Sequence, residues 1–251
     1  LYPVNPRHGE IMGLRCYPDI GSVPEGLDLV ILAVPPAAVP GLVRECAASG
    51  VGVCVINTAG FSETGREEGR RLELEIMQAR RGSGLRLVGP NCMGIFSSRG
   101  KTALFAGMFP TPGRASMISQ SGSLSSITYV TALERGLYCD KIVSSGNELD
   151  LNCSDYLAYL AEDDHTGIIL AYLEEVRDAR RFLDKAVKIR GRKPLIVFKS
   201  GLTASGSSAA ASHTAAMGGS AEVLAGAARQ AGMILVHDLA EMLDCATALY
   251  H

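Results

Sequence analysis

A junction in the second half of the sequence carries the residues best suited to holding an anion. The segment SQSGSL (residues 119–124) follows an apolar run and precedes a stretch with helical spacing. Ser121 and Gly122 are therefore predicted at a helix N-terminus, where free N–H groups, hydroxyls and the helix dipole suit a phosphate. An ordinary helix cap with a tight turn is the alternative. The segment lacks the GxxxxGK[ST] spacing, which excludes a P-loop.

His213 is the histidine whose surroundings best suit a mobile chemical role. It stands in ASHTAAMGGS among Ala, Ser, Thr and Gly residues, which allow a loop to move. An imidazole can act as a nucleophile or carry a proton near neutral pH. No second His or Cys stands at a metal-ligand spacing, so we expect no metal here. A structural histidine is the alternative.

Two other side chains have a polar group at a predicted strand end. Glu174 follows the apolar run TGIILAYL, where a carboxylate needs a partner. A carboxylate can orient a histidine ring, although a helix-capping Glu at a sheet edge is the alternative. Cys92 in GPNCMG has no His or Lys beside it, which argues against covalent cysteine catalysis. Pro35 and Pro36 after a strand more often simply end the strand and stiffen a loop. They also lack N–H groups, which suits a wall against a flat ring better than a phosphate cradle.

These segments follow apolar runs that alternate with helical stretches. The predicted strands cover residues 28–34, 51–56, 85–89, 114–119, 140–145, 166–173, 193–199 and 233–237. The first predicted helix ends near residue 49, and the last begins at residue 239. Between them, helices are predicted at residues 67–80, 122–134, 154–161, 179–190 and 220–230. Such alternation predicts parallel sheets with right-handed crossovers. Ligands then bind beyond the carboxyl ends of the strands.

The sequence predicts two α/β units. The Gly-, Pro- and Ser-punctuated stretch between the two series has no sustained period and indicates a linker. We expect a first domain at 1–98, a linker at 99–113 and a second domain at 114–251. The first has three clear strands plus a stub near residues 2–5, too few for an intact dinucleotide-type half.

Composition excludes several classes of protein. The 251 residues are 47% hydrophobic and 20% charged, as in an ordinary soluble globular chain. A net charge of −2 lacks the excess of positive charge that is typical of a nucleic-acid-binding protein. No apolar run reaches the roughly 18–20 residues of a membrane span. Seven cysteines without a CxxC pair argue against a disulfide scaffold or zinc site and for a reducing cytoplasm.

Nine segments in this order resemble the α-type portion of the nucleoside-diphosphate-forming acyl-CoA synthetases, the superfamily that includes succinyl-CoA synthetase. They are VNP, AVPPAAV, NTAGFSETG, GPNCMGIF, ISQSGSL, SSGNELDL, YLEE, KPLIVFKSG and SHTAAMGGS. The resemblance covers essentially the whole chain, and the last segment is the most specific. It implies a truncated Rossmann-like CoA-binding domain followed by a flavodoxin-like, parallel-sheet ligase domain.

The resemblance also implies a reaction: acyl-CoA, phosphate and ADP are interconverted with carboxylic acid, CoA and ATP. Phosphate attacks the thioester to give an acyl phosphate, and the phosphoryl group then moves to a histidine on a mobile loop. That histidine corresponds to His213, and its carboxylate partner corresponds to Glu174. The implied phosphate-binding residues are Ser121 and Gly122 at one helix N-terminus, Asn91 and Cys92 at a second, and Gly146 and Asn147.

Further implications concern CoA, the acyl group and the partner. The implied CoA contacts are Asn5, Arg7, Pro35, Pro36, Asn57, Thr58 and Ala59. The acyl pocket lies near Ser126, and acetate, propionate and branched or aryl acids all stay open. ATP or ADP with Mg belongs to an ATP-grasp domain or subunit, and an oligomer is expected.

Two parts of the family pattern have no counterpart in the sequence. These are the first strand with its glycine turn, expected before Leu1, and the ATP-grasp portion. We therefore expect the chain to be the middle of a larger enzyme. The alternatives are a regulatory module of a protein acetyltransferase, which often lacks the histidine, and a stand-alone CoA-binding protein.

Overall fold

The computed structural model describes residues 1–24, 26–104, 107–201 and 221–251, which form two α/β units. His213 lies outside the described residues. In the first unit, β1 (Glu10–Ile11) and β2 (Leu14–Arg15) form a small antiparallel hairpin. A parallel sheet follows, in the order β3 (Leu29–Leu32), β4 (Val53–Ile56) and β5 (Arg86–Val88). The crossovers between its strands are α1 (Val39–Ala48) and α2 (Glu67–Ala79).

The second unit is built on a seven-stranded sheet. Its elements are, in chain order, β6 (Gly94–Ser97), β7 (Thr102–Ala103), β8 (Ala115–Ser119), α3 (Gly122–Glu134), β9 (Cys139–Ser144), α4 (Cys153–Glu162), β10 (Ile168–Leu173), α5 (Ala179–Ile189), β11 (Leu195–Lys199), α6 (Ala221–Ala231), β12 (Ile234–Val236) and α7 (Leu239–Tyr250). The strand order is β12-β11-β10-β8-β9-β6-β7, and β8 to β12 are parallel. Numbered by appearance, the parallel strands follow the flavodoxin-type order 2-1-3-4-5. The predicted fold class is confirmed.

The expected linker at 99–113 contains a strand. β7 falls within it, and β6 comes just before the expected boundary at 98, yet both pair antiparallel at the edge of the second sheet. Phe96 on β6 is buried and its ring lies 5.4 Å from that of Tyr129 on α3. These strands are short and lie among Ser and Gly residues, so the sequence shows no regular spacing of apolar residues that would predict a strand. By strand pairing, the chain enters the second unit near residue 94.

Apolar side chains on both faces of the larger sheet explain why its strands read as continuous apolar runs. Met117 on β8 packs into the cluster under α3 and α7, whereas its neighbour Ile118 packs into the cluster under α4 and α5. The smaller sheet has its own core, which includes Cys54, Ile56 and Phe61. Within the described residues, no helix combines the length and the apolar character needed to cross a membrane.

The loop after β9 joins the two units. The Leu149 N–H donates to the Gly89 carbonyl at 3.0 Å, and the Leu151 N–H donates to the Leu87 carbonyl at 3.2 Å. The Asp150 carboxylate accepts from the guanidinium groups of Arg80 and Arg86. This edge-to-edge attachment brings the carboxyl end of β5 beside the carboxyl ends of β8, β9 and β10.

Candidate functional site

A cavity of about 260 Å³ lies where these strand ends meet. In the flavodoxin-type order, β8 and β10 flank the switch point, where connections leave toward opposite faces of the sheet. The loops after β8, β9 and β10 form most of the wall, and two loops of the first unit complete it. The lining residues are Ser62, Glu63, Asn91, Gln120, Ser121, Gly122, Ser123, Gly146, Asn147, Glu174, Glu175 and Arg177.

Gln120 bridges the two strand ends at the switch point. Its side-chain oxygen accepts hydrogen bonds from the N–H groups of Glu174 at 2.5 Å and Glu175 at 2.9 Å. Its Nε2 donates to the Glu175 carbonyl at 2.7 Å, and its own N–H donates to the Tyr172 carbonyl. The loop carrying Glu174 is therefore fixed relative to the start of α3.

Ser121 and Gly122 lie at the N-terminus of α3, as the sequence predicts. Ser121 is the N-cap, and its hydroxyl accepts from the Leu124 N–H at 3.3 Å. The N–H groups of Gly122 and Ser123 precede the first intrahelical bond and have no acceptor within the helix. A Cβ at position 122 would come within 2.6 Å of the Met93 side chain, so glycine permits the close approach of that loop.

Gly146 and Asn147 bring the loop after β9 against the loop after β5. Gly146 has φ +58°, and a Cβ there would lie 2.2 Å from the Pro90 carbonyl oxygen. The Asn147 N–H donates to that same carbonyl at 2.9 Å. Asn91 donates from its side chain to the Asn147 side-chain oxygen at 3.2 Å. Asn91, Gly146 and Asn147 thus share one wall of the cavity.

The second predicted helix N-terminus, at Asn91 and Cys92, is not present. The chain passes from β5 through residues 89–93 directly into strand β6. Cys92 is only 5% exposed, and its Sγ lies 3.3 Å from the Ile56 carbonyl oxygen. Burial raises the pKa of Cys92 to about 12, which keeps the thiol protonated. Asn91 lines the cavity from a loop with φ +55°, and Cys92 packs behind it.

Glu174 lies at the end of β10 and lines the cavity. The Lys199 ammonium donates to the carbonyls of Glu174 and Ser200, both at 2.7 Å. Burial lowers the pKa of Lys199. This contact ties the end of β10 to the end of β11, from which the segment carrying His213 continues.

Several lining residues were not predicted from the sequence: Ser62, Glu63, Gln120, Ser123, Glu175 and Arg177. Glu63 closes the segment NTAGFSE, and its carboxylate accepts from the N–H groups of Gly60 and Phe61. Its other oxygen accepts from the Asn147 side chain at 2.6 Å. Glu63 could have been predicted, because it is a charged residue at the end of NTAGFSE, a segment already placed at the carboxyl end of a strand.

The predicted CoA contacts form a separate group, outside the lining of this cavity. Asn5 and Arg7 share a turn before β1, where the Arg7 N–H donates to the Asn5 side-chain oxygen at 2.9 Å. Thr58 donates to the Val34 carbonyl at 2.8 Å, which joins the strand ends of β3 and β4. The Asn57 side-chain oxygen is buried and has no hydrogen-bond partner within the described residues.

The remaining members of that group follow the ends of the same two strands. Pro36 begins a short 3-10 turn after β3, and Ala59 is exposed after β4. Pro35, just before the turn, is exposed as well. Ser126 lies on α3 one turn beyond Gly122, with its hydroxyl 3.7 Å from the Met93 sulfur, and does not line the cavity.

The fold and site define an α/β protein with a small parallel sheet followed by a flavodoxin-type unit whose strand ends carry a polar cavity. The sequence matches the CoA-binding domain family over residues 1–98 and the succinyl-CoA-ligase-like flavodoxin domain family over residues 112–249. The chain therefore belongs to the nucleoside-diphosphate-forming acyl-CoA synthetase family that the sequence resembles.

Known proteins are similar over nearly the whole chain. Acetate–CoA ligase (ADP-forming) I of Archaeoglobus fulgidus is 40% identical over 99% of this chain and 36% of that protein. The α subunit of acetate–CoA ligase (ADP-forming) II of Pyrococcus furiosus is 37% identical over 99% of this chain and 54% of that subunit. The chain thus spans between a third and about half of these relatives.

A solved structure supports the same relationship. It is the dinucleotide-forming acetyl-CoA synthetase 1 of Candidatus Korarchaeum cryptofilum in complex with phosphate and ADP. It superposes with a TM-score of 0.92 at 34% identity, over 99% of this chain and 54% of that one.

Proposed function

We propose that this chain is the CoA-binding and phosphohistidine portion of an ADP-forming acyl-CoA synthetase. The observation that carries the proposal is the cavity at the switch point, where Ser121, Gly122, Asn91, Asn147 and Glu174 face one space. Backbone N–H groups, hydroxyls and side-chain amides are suitable donors for the oxygens of a phosphate or acyl phosphate.

In this proposal His213 receives the phosphoryl group beside Glu174. The segment 202–220, which contains His213, follows the end of β11, and Lys199 at that end contacts the Glu174 carbonyl. A carboxylate that accepts from one ring nitrogen leaves the other nitrogen as the nucleophile. Glu174 is thus the orienting partner, and the start of α3 stabilises the charge on the phosphoryl oxygens. Gly146 has no side chain, so it leaves room in the cavity and contributes only backbone atoms to its wall.

CoA is proposed to bind at the strand ends of the first unit. Asn57, Thr58 and Ala59 follow β4, and Pro35 and Pro36 follow β3, so both segments lie at one edge of the sheet. The unpaired, buried oxygen of Asn57 suits a donor from a ligand. Arg7 is exposed and supplies a positive charge for a CoA phosphate. Ser126, one helical turn from Gly122, is proposed near the acyl group.

The chain also requires a partner in this proposal. Transfer of the phosphoryl group to ADP needs a nucleotide site with Mg, which we assign to an ATP-grasp domain or subunit. Relatives named as α subunits support an oligomer with such a partner. We assign the protein to the cytoplasm because all seven cysteines are free.

ATP formation tests the proposal. The full-length protein with its ATP-grasp part is incubated with acetyl-CoA, phosphate and ADP, and ATP and free CoA are measured. Acetyl-CoA is the first substrate to try because the similar enzymes are named for acetate.

Variants make this test specific. We expect Glu174→Gln to lower the rate by about 100-fold or more, since loss of an orienting carboxylate costs about that much or more. Glu162→Gln, on the exposed end of α4, is the control and should keep the rate. CoA binding without ATP formation from any acyl-CoA would favour a regulatory module or a stand-alone CoA-binding protein instead.

A further inference from the structure

The cavity has an unusual balance of charge for a site that takes phosphate. Its lining includes three carboxylates, Glu63, Glu174 and Glu175, and among the described lining residues the one cationic side chain is Arg177. The segment 202–220 contains no Lys or Arg. A phosphate carries about two negative charges near neutral pH, so its entry beside three carboxylates needs a compensating cation.

Arg177 is held loosely enough to serve a ligand. Its Nη1 donates to the Glu148 carbonyl at 3.4 Å, and its Nε lies 3.9 Å from a Glu175 carboxylate oxygen. Both distances are long for a guanidinium pair, whose N–H···O separations are normally about 2.7–2.9 Å. The side chain is 44% exposed. Its donors are therefore not committed to a tight internal ion pair.

The position of Arg177 also suits an anion. It follows β10 by four residues, so its loop faces the start of α3 across the switch point. Gln120 holds the two loops together through the N–H groups of Glu174 and Glu175. A guanidinium matches two phosphate oxygens with parallel N–H bonds, which an ammonium group cannot do.

From these observations we infer that Arg177 is the phosphate-binding cation of the cavity, opposite the N-terminus of α3, and that it holds the attacking phosphate and the resulting phosphoryl group. The assignment rests on the proposed function, because phosphate is the anion which that reaction requires. It makes Arg177 a contact to substrate oxygens, distinct from the role of Glu174 in orienting His213.

The test is the phosphate dependence of protein labelling. Full-length protein is incubated with radiolabelled inorganic phosphate and acetyl-CoA, and the initial rate of acid-labile labelling is measured against phosphate concentration. Arg177→Gln should raise the phosphate KM by about 10- to 100-fold, as expected for loss of hydrogen bonds to a charged group. Arg177→Lys should recover part of the loss, since it keeps the charge without the planar fork. The KM for acetyl-CoA should change less than about twofold.

Arg180→Gln is the matched control, because Arg180 stands three residues further on at the exposed face of α5, with 87% of its side chain accessible. It should leave the phosphate KM unchanged. Thermal unfolding of each variant separates a binding defect from a folding defect, and the Tm of Arg177→Gln should lie within about 2 °C of wild type.

The outcomes separate the two claims. If wild type and Arg177→Gln are both labelled with the same phosphate KM, the role of Arg177 is overturned but the proposed function is not. A wild-type protein that takes up no label with acetyl-, propionyl-, branched-chain or aryl-CoA overturns the proposed function and this assignment with it. If the Tm of Arg177→Gln falls and the loss of folded protein accounts for its lower labelling rate, with an unchanged phosphate KM in the folded fraction, then Arg177 has a structural role.

Discussion

The Gln120 side-chain oxygen accepts a hydrogen bond from the Glu174 N–H at 2.5 Å, across the switch point between β8 and β10. This bond connects the residue that precedes the α3 cap to the backbone of Glu174, whose carboxylate is proposed to orient His213. A second bond to the Glu175 N–H and a donation to the Glu175 carbonyl complete the clamp. The Gln120 side chain therefore helps to fix the distance between the N-terminus of α3 and Glu174, together with the pairing of β8 with β10.

Replacing Gln120 by alanine should disrupt this geometry. Two N–H groups and one carbonyl lose their partner, which we expect to cost about 1–3 kcal/mol of unfolding free energy. The labelling rate should fall by about 10-fold or more, because small displacements of positioned groups reduce rates strongly. Urea unfolding and phosphoprotein formation measure the two effects. Gln78→Ala, on the exposed face of α2, is the control, and equal activity of the two variants would contradict the role of the clamp.

The close approach of Gly146 to the loop after β5 predicts a steric effect. Gly146→Ala would place Cβ 2.2 Å from the Pro90 oxygen and 2.5 Å from the Asn91 oxygen. We expect a loss of about 3 kcal/mol in unfolding free energy, together with reduced labelling. Gly191→Ala is the matched control, since Gly191 also has a positive φ, +76°, but meets no atom within 4 Å. It should cost about 1 kcal/mol, from backbone strain alone. Equal losses would mean that the close approach does not matter.

Glu148 predicts a dependence of stability on pH. Its side chain is 3% exposed, and burial raises its pKa above the ordinary value of 4.5, although the Ser145 hydroxyl stabilises the charge in part. Because the folded-state pKa is raised, the neutral form favours folding below about pH 4.5. That stability is lost as the pH rises through the folded-state pKa.

Glu148→Gln should remove this dependence while keeping an acceptor for Ser145. The unfolding free energy of the variant relative to wild type should therefore increase as the pH rises from 4.5 through the folded-state pKa of Glu148. Urea unfolding at a series of pH values within this range measures the difference. A difference that stays constant with pH would show that Glu148 does not titrate above its ordinary range.

The sequence predicted the parallel elements well because their buried faces repeat. The predicted helix at 122–134 matches α3, and the predicted strand at 166–173 contains β10. β6 and β7 were missed because an antiparallel edge of four and two residues leaves no period to detect.

The site was predictable where a residue belongs to a strand-end motif. Ser121, Gly122, Asn91, Gly146, Asn147 and Glu174 line the cavity. Gln120 lies in the strand-end motif SQSGSL, but its bonds to the Glu174 loop were not predicted, and Arg177 was not predicted at all. Both depend on which strands are neighbours across the switch point. In the sequence, α3, β9 and α4 lie between β8 and β10, so neither local composition nor spacing predicts that these two strands pair.

Phosphorylation of His213 is the most direct test of the account. The full-length protein is incubated with acetyl-CoA and labelled phosphate without ADP, and the site of the acid-labile phosphate is mapped by mass spectrometry at neutral or alkaline pH. The account predicts one phosphate on the peptide containing His213, no label in His213→Asn, and normal label in His237→Asn, whose histidine is exposed on the surface. Label that persists at wild-type level in His213→Asn, or maps to another residue, would contradict it.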